Sequence, residues 1–194
     1  MDSAVEQLVR LMLERTGQKN NVAQREALWE SLNPNQKQQT AESRVFISFA
    51  NATGLVADPY KHDNECPPRP DVRTSIDGHD YYFELGEIVD EGLARNIDRS
   101  RKTGMVSGCA LSQVDPLAKM LKQKCKKEYE TNDIPIDLLL YYWRQGPYTD
   151  TICDYLLWNN RDIEGQLQNS QFARIWIYDW QSGKVLWKTE AKNN

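Results

Sequence analysis

A chain of 194 residues has room for one well-buried core and is short for two. Its 40% hydrophobic and 27% charged residues describe an ordinary globular protein, and no apolar run approaches the roughly 18 residues of a membrane span. Four cysteines without a CxxC pair favour reduced thiols over a disulfide framework or a zinc site. We therefore expect a cytoplasmic, single-domain protein with no membrane partner.

The net charge of −4 conceals a basic segment. Between Arg95 and Lys127, nine basic residues and only two acidic ones give a local charge of +7. Such a surface attracts phosphate whatever the total charge, because salt screens interactions beyond roughly 10 Å. The segment is typical either of a solvated lysine-rich helix face or of a nucleic-acid contact. The candidate contacts with nucleic acid are Arg95, Arg99, Arg101, Lys102, Lys119, Lys122 and Lys126.

The first part of the chain predicts helices. Apolar residues from Val5 to Leu13 recur at helical spacing, and their interleaved charges are typical of an amphipathic helix rather than a signal peptide. The stretches "VAQREALWESL" and "NQKQQTAESRVFISFANATG" predict a second and a third helix. We assign residues 1–36 to an N-terminal helical extension and residues 37–194 to an α/β core, within one compact domain.

A β-hairpin follows a predicted loop at residues 55–70. The runs "DVRTSI" and "YYFELGEIV" are rich in β-branched and aromatic residues, and "DGHD" between them is a turn signal.

The second half of the chain alternates helices and strands. In "DPLAKMLKQKCKKEY", Asp115 is placed to cap a helix, and the apolar run "IDLLLYYW" predicts a central strand covered on both faces. A further helix is predicted in "TDTICDYLLWNNRDIEGQL" and a hairpin turning at "SG" in "FARIWIYDWQSGKVLWKTE". This order predicts a mixed α/β layer architecture.

The first hairpin brings acidic residues together. We predict that Gly78 and His79 form its turn, which places Arg73 opposite Glu84. Side chains alternate along a strand, so Asp71 and Glu84 become diagonal neighbours on one face, roughly 7 Å apart at their β-carbons. Two carboxylates so close repel each other unless a cation lies between them, and Mg²⁺ is commonly held by one or two carboxylates.

Glu87 is a conditional member of this group. A regular strand points it to the face opposite Glu84, so it joins the site only if the strand ends or bulges at Gly86. An ordinary hairpin with an ion pair between Arg73 and Glu84 explains the same residues, and this alternative stays open.

The string "PRPDVRTSIDGHDYYFELGE" resembles the signature of the PD-(D/E)xK nuclease superfamily, with PD on one strand and (D/E)-x-K on the next. Pro70 and Asp71 match the PD, and Glu84 matches the acidic position, whereas the lysine position falls on Gly86. The substring "FELGE" is similar to the E-x-x-E of a subset of small bacterial relatives. The resemblance covers residues 37–190 and implies a restriction-endonuclease-like mixed central sheet flanked by helices, here with an extra N-terminal helical region.

The resemblance implies Mg²⁺-dependent (or Mn²⁺-dependent) hydrolysis of phosphodiester bonds in DNA or RNA. Asp71, Glu84 and Glu87 are then the catalytic carboxylates and the metal ligands, because a metal held by carboxylates polarises the phosphate and lowers the pKa of a bound water. Glu42 matches the acidic residue that these nucleases often place on their first core helix, behind the ligands.

A lysine normally completes such a site by stabilising the charge that develops on the phosphate. Some relatives carry this lysine on the following helix. Leu117, Leu121 and Lys124 recur at helical spacing, so Lys124 lies on the sheet-facing stripe, where a buried ammonium needs a carboxylate partner. We predict that Lys124 is the catalytic lysine. The alternative is that its side chain extends from the edge of that stripe into solvent.

Two other functions fit the same residues. Loss of the usual lysine favours a catalytically inactive nuclease-fold protein that acts as a binding or inhibitory module, for example in phage–host conflict. Six tryptophans and nine tyrosines also leave room for an interface with a protein partner or a second copy of the chain. Metal binding and nucleic-acid cleavage distinguish these functions from the nuclease.

Overall fold

A computed structural model of the chain describes residues 3–13, 20–89, 102–104, 115–142 and 163–189. These residues form a six-stranded mixed sheet whose strands lie side by side in chain order. The first three strands are antiparallel, the third to fifth are parallel, and the last is antiparallel to the fifth. The strands are β1 (Asp63–Asn64), β2 (Val72–Ile76), β3 (His79–Glu87), β4 (Ile136–Tyr142), β5 (Arg174–Asp179) and β6 (Lys184–Lys188).

Helices cover the sheet, which confirms the predicted α/β class. The described helices are α1 (Ser3–Leu13), α2 (Asn20–Ser31), α3 (Pro34–Thr53) and α4 (Pro116–Cys125). Residues 163–168 are also helical, and the earlier part of the helix predicted there lies outside the described residues. Within the described ranges, none of the helices combines the length and the apolar character that crossing a membrane requires.

Local capping explains where the two site helices begin. The Asn33 side chain accepts a hydrogen bond from the Gln36 backbone N–H at 3.0 Å, and the Gln36 side chain accepts one from the Asn33 N–H at 3.0 Å. The Asp115 carboxylate caps α4 as predicted, accepting hydrogen bonds from the backbone N–H groups of Leu117 and Ala118. These caps fix the first turns of α3 and α4.

The sheet separates two apolar layers. One layer packs α1 and α3 against one face, and its largest members include Phe46, Phe49 and Tyr178. The other packs α4 and residues 163–168 against the opposite face. β4 lies between the two layers and all seven of its residues are buried, which confirms it as a central strand. The predicted boundary at residue 36 falls in the first turn of α3.

The turn of the first hairpin differs from the prediction. Asp77 and Gly78, not Gly78 and His79, form it, and both have positive φ angles, 52° and 81°. This is the backbone that suits a two-residue hairpin turn, for which an Asp-Gly pair is a strong signal. Ile76 therefore pairs with His79, and Val72 pairs with Phe83.

The predicted pairing of Arg73 with Glu84 is wrong for the same reason. Arg73 lies opposite Tyr82, and its guanidinium forms an exposed ion pair with Asp80. The observed register differs from the predicted one by two residues, and a shift of two leaves every side chain on its original face. Asp71 and Glu84 therefore still share a face. They lie opposite each other, one residue beyond Val72 and Phe83, the last pair between β2 and β3.

A second buried carboxylate lies in the middle of the sheet, opposite Phe83 on the neighbouring strand. Asp137 on β4 is fully buried and accepts hydrogen bonds from the Tyr81 hydroxyl at 2.7 Å, Arg174 Nε at 2.9 Å and Trp176 Nε1 at 2.7 Å. Three donors from β3 and β5 satisfy it, so this acid ties three strands together.

Candidate active site

The candidate site lies along the β2 side of β3. Because β2 begins at Val72, which pairs with Phe83, the backbone N–H and C=O groups of Leu85 have no partner in β2. Instead, Asp71 Oδ2 accepts a hydrogen bond from the Leu85 N–H at 2.7 Å, and Lys124 Nζ donates to the Leu85 carbonyl at 2.6 Å. The carboxylate of the residue before β2 and an ammonium from α4 thus meet at the backbone of one residue.

Glu84 joins the same cluster from inside β3. Its side chain is 1% exposed, and its Oε1 accepts hydrogen bonds from Lys124 Nζ at 2.6 Å and Lys127 Nζ at 3.3 Å. Its Oε2 is buried and has no hydrogen-bond partner among the described residues. The Tyr129 hydroxyl lies close to this carboxylate, and burial, the Glu84 charge and hydrogen bonding to Glu84 raise the pKa of Tyr129. A buried carboxylate is costly unless its charge is compensated, and a bound cation would add to the compensation that Lys124, Lys127 and Tyr129 give to Glu84.

Gly86 faces α4 and makes room for Lys124. A β-carbon at this position would lie 2.8 Å from Leu140 Cδ2, 3.3 Å from the Met120 sulfur and 3.4 Å from Lys124 Cε. The Lys124 side chain therefore occupies the space into which a side chain at position 86 would project. The structure places Lys124 on the sheet-facing side of α4, beside the acids.

Glu42 reaches the cluster from α3. It is buried, and Gln38 Nε2 donates a hydrogen bond to its Oε1 at 2.8 Å. Burial and then the charge of Asp71 raise the pKa of Glu42 to about 7. Burial and then the charge of Glu84 raise the pKa of Asp71 to about 6. Lys124 opposes both shifts, but the three acids still leave an environment that favours an added cation.

These groups line one cavity of about 650 Å³, which we call the edge cavity. This volume lies within the range of small-molecule sites. The site residues in its lining are Glu42, Asp71, Glu84, Leu85, Glu87, Lys124 and Lys127.

Glu87 lies on the other face of β3. The strand pairs regularly with β4 through Glu87 opposite Tyr141, so no bulge at Gly86 turns the side chain toward Glu84. Glu87 nevertheless borders the edge cavity. The structure thus brings Asp71 and Glu84 together on one face, and a ligand role for Glu87 stays a prediction.

Few of the described groups near the edge cavity could bind a metal ion, and those around the Leu85 backbone are oxygen atoms. Within the described ranges, no group of three or more Asp, Glu, His or Cys side chains could hold a metal ion. Two carboxylates, from Asp71 and Glu84, and the Leu85 carbonyl face the edge cavity. Mg²⁺ is commonly held by one or two carboxylates together with water and phosphate oxygens, so this donor set fits Mg²⁺ or Mn²⁺.

The predicted nucleic-acid contacts are placed in part. Lys102, Lys122 and Lys126 are exposed and Lys119 is half-buried. The three arginines proposed with them lie outside the described residues: Arg95, Arg99 and Arg101.

Lys127 is a site residue that the helical pattern did not single out. It follows the end of α4, yet its Nζ lies 3.3 Å from Glu84 Oε1. Its spacing of three residues from Lys124 was the available signal, since residues three apart share a helical face.

No protein-family model matches the chain, and no curated protein matches it significantly in sequence.

The raised pKa values predict a pH-dependent stability. Glu42 and Asp71 bind protons more tightly when folded, so their contribution is complete below about pH 4 and is lost as the pH rises through about 6 and 7. In EDTA, the free energy of unfolding of the wild type relative to Glu42→Gln should fall by a few kcal/mol between pH 5 and pH 8, at about 1.4 kcal/mol per unit of pKa shift. Urea unfolding at several pH values measures this difference.

Glu130→Gln is the matched control, because Glu130 is exposed and lies outside the edge cavity. Its unfolding free energy should follow that of the wild type at every pH. A wild type that becomes more stable than Glu42→Gln as the pH rises would contradict the electrostatic description of the site.

Proposed function

We propose that this chain is a Mg²⁺- or Mn²⁺-dependent nuclease that hydrolyses phosphodiester bonds of DNA or RNA. The observation that carries the proposal is the meeting of Asp71, Glu84 and Lys124 around the Leu85 backbone. Phosphodiester hydrolysis needs ligands for a hard cation and a positive charge close to the reacting phosphate. Both are present in the edge cavity.

The strand order supports a restriction-endonuclease-like fold for the same chain. β1 to β3 are antiparallel, and β3 is parallel to β4, with α4 in the connection between them. Asp71 directly precedes β2 and Glu84 lies within β3, which are the places of the two acids in the PD-(D/E)xK motif.

In this proposal each side chain has a separate task. Asp71 and Glu84 would hold the metal ion, which when bound polarises the phosphate and lowers the pKa of a coordinated water. Lys124 stabilises the negative charge that develops on the phosphate oxygens. Its hydrogen bonds to Glu84 and Leu85 fix the ammonium before reaction, so little reorganisation is needed. Lys127 adds a second positive charge at Glu84.

The role of Lys124 follows from the space that it occupies. Its Cε lies 3.4 Å from the point where a β-carbon at position 86 would be. A lysine at position 86 would therefore leave the backbone where the Lys124 side chain ends, which supports Lys124 as the replacement for the lysine of the motif.

The carboxylates should be required for cleavage. Purified protein should cut plasmid DNA, single-stranded DNA or RNA in Mg²⁺ or Mn²⁺, and Asp71→Asn or Glu84→Gln should lower the rate at least about a hundredfold, since each removes a charge from the reacting centre. Gel assays of the three substrates measure this.

Asp80→Asn is the matched control, because Asp80 lies on the same hairpin and forms an exposed pair with Arg73. It should cut like the wild type. A wild type that cuts none of the substrates and binds neither metal in calorimetry would reject the nuclease and favour an inactive binding module.

The lysine should be transferable between the two positions. Lys124→Ala should lower kcat about a hundredfold. Adding Gly86→Lys should recover at least about tenfold of that loss, because the freed space takes the new side chain once Leu140 Cδ2, the end of a flexible side chain that would lie 2.8 Å from the new β-carbon, shifts. Single-turnover cleavage at saturating nucleic acid measures both variants.

Gln123→Ala provides the comparison on α4, because Gln123 is exposed and absent from the edge-cavity lining. It should keep the wild-type single-turnover rate at saturation. Full activity of Lys124→Ala would show that this lysine is not the catalytic one.

A further inference from the structure

A second cavity lies beside the edge cavity. It has a volume of about 500 Å³ and shares Ala41, Glu87 and Tyr141 with the edge cavity. We call it the aromatic cavity, because Trp29 from α2 and Trp180 from the end of β5 line it. The proposed hydrolysis uses no residue that is confined to this cavity.

Arg44 is the unusual group in the aromatic cavity. Its guanidinium carbon lies 5.0 Å from the centroid of a Trp180 ring, so it is stacked on an aromatic side chain. Its Nε is buried and has no hydrogen-bond partner in the part of the chain that the structure describes. A buried guanidinium N–H without an acceptor is costly, so an acceptor group on a bound ligand would stabilise Arg44.

The charge around Arg44 points to an anion. Burial and then the positive charge of Arg25 lower the pKa of Arg44, so the neighbouring charge that acts on it among the described residues is another cation. Both arginines line the cavity. Two guanidinium groups with planar donor forks favour a phosphate, which can accept hydrogen bonds from both.

The acids of the aromatic cavity lie elsewhere in its lining. Glu26 and Glu30 are exposed on α2, whereas Arg44 is half-buried on α3. Glu87 lies at the boundary with the edge cavity. The half-buried charged groups of the cavity are therefore the two arginines and Glu87, whereas Glu26 and Glu30 lie where it opens to solvent.

We propose that the aromatic cavity binds one nucleotide of the strand that is being cut, with its phosphate on Arg44 and Arg25 and its base against Trp29 or Trp180. Tryptophan faces stack nucleobases without regard to sequence, and the volume is in the range of small-molecule sites. The shared wall places this nucleotide next to the edge cavity. Its assignment to the cleaved strand rests on the proposed nuclease function.

The proposal defines a substrate class. A base reaches a side cavity only when it is unstacked from its neighbours. This unstacking costs less free energy in a single strand than in a duplex, where base pairs must also break. The preferred substrate is therefore single-stranded nucleic acid.

The test measures binding in EDTA, where no metal-dependent cleavage occurs. Fluorescence anisotropy gives the Kd of labelled single-stranded DNA and RNA of about ten nucleotides, a length typical of such sites. Arg44→Met should weaken the tighter of the two at least about tenfold, since it removes charge-assisted hydrogen bonds to phosphate. Arg44→Lys should weaken it less, because the charge remains. AMP should quench tryptophan fluorescence and compete with the oligonucleotide.

Two further variants keep the test decisive. Arg25→Met, on a different helix, should also weaken binding, which covers the case in which Arg44 variants fail to fold by circular dichroism. Lys61→Met is the matched control, because its side chain is 85% exposed and lies in neither cavity lining. It should bind like the wild type.

Three results would overturn the proposal. The first is wild-type binding by the Arg25 and Arg44 variants. The second is Arg44-dependent binding of AMP that does not compete with the oligonucleotide, which would assign the cavity to a free nucleotide. The third is equal, Arg44-dependent binding of duplex and single strand. Cleavage by a wild type whose Arg44→Met variant binds normally would retain the nuclease and reject this site. Arg44-dependent binding by a wild type that does not cut would retain this site and reject the nuclease.

Discussion

The candidate site depends on the backbone N–H and C=O groups of one residue, Leu85. β2 starts too late to pair with it, so Asp71 accepts its N–H and Lys124 donates to its carbonyl. A backbone group left without a strand partner must find other partners, and here those partners are a carboxylate and an ammonium from distant parts of the chain. The geometry of the acids and the lysine follows from this constraint.

Two buried acids, Asp137 and Glu84, differ in how fully their carboxylate oxygens are hydrogen-bonded. This difference distinguishes a structural acid from a candidate ligand. Asp137 accepts hydrogen bonds from Tyr81, Arg174 and Trp176, so its donors hold three strands together. Glu84 is equally buried, but its Oε2 has no hydrogen-bond partner among the described residues and its Oε1 faces two lysine ammonium groups. A fully paired carboxylate is structural, whereas one with a free oxygen beside a cavity is available to a ligand.

The sequence predicted those features that depend on local periodicity. Strand parity placed Asp71 and Glu84 on one face although the register was wrong by two residues, and helical spacing placed Lys124 toward the sheet. It did not reveal the roles of Asp137, Lys127 or Arg44. Those roles depend on contacts between elements far apart in the chain, such as Glu84 with a lysine beyond the end of α4, and periodicity carries no information about them.

The central claim is that Asp71 and Glu84 together hold a divalent cation beside Lys124. A crystal soaked in Mn²⁺ and measured for anomalous scattering tests it directly. The account predicts a peak between the two carboxylates, close to the Leu85 carbonyl and the Lys124 ammonium. Carboxylates that point to opposite faces of the sheet, or a fully ordered site with no anomalous peak between them, would contradict it.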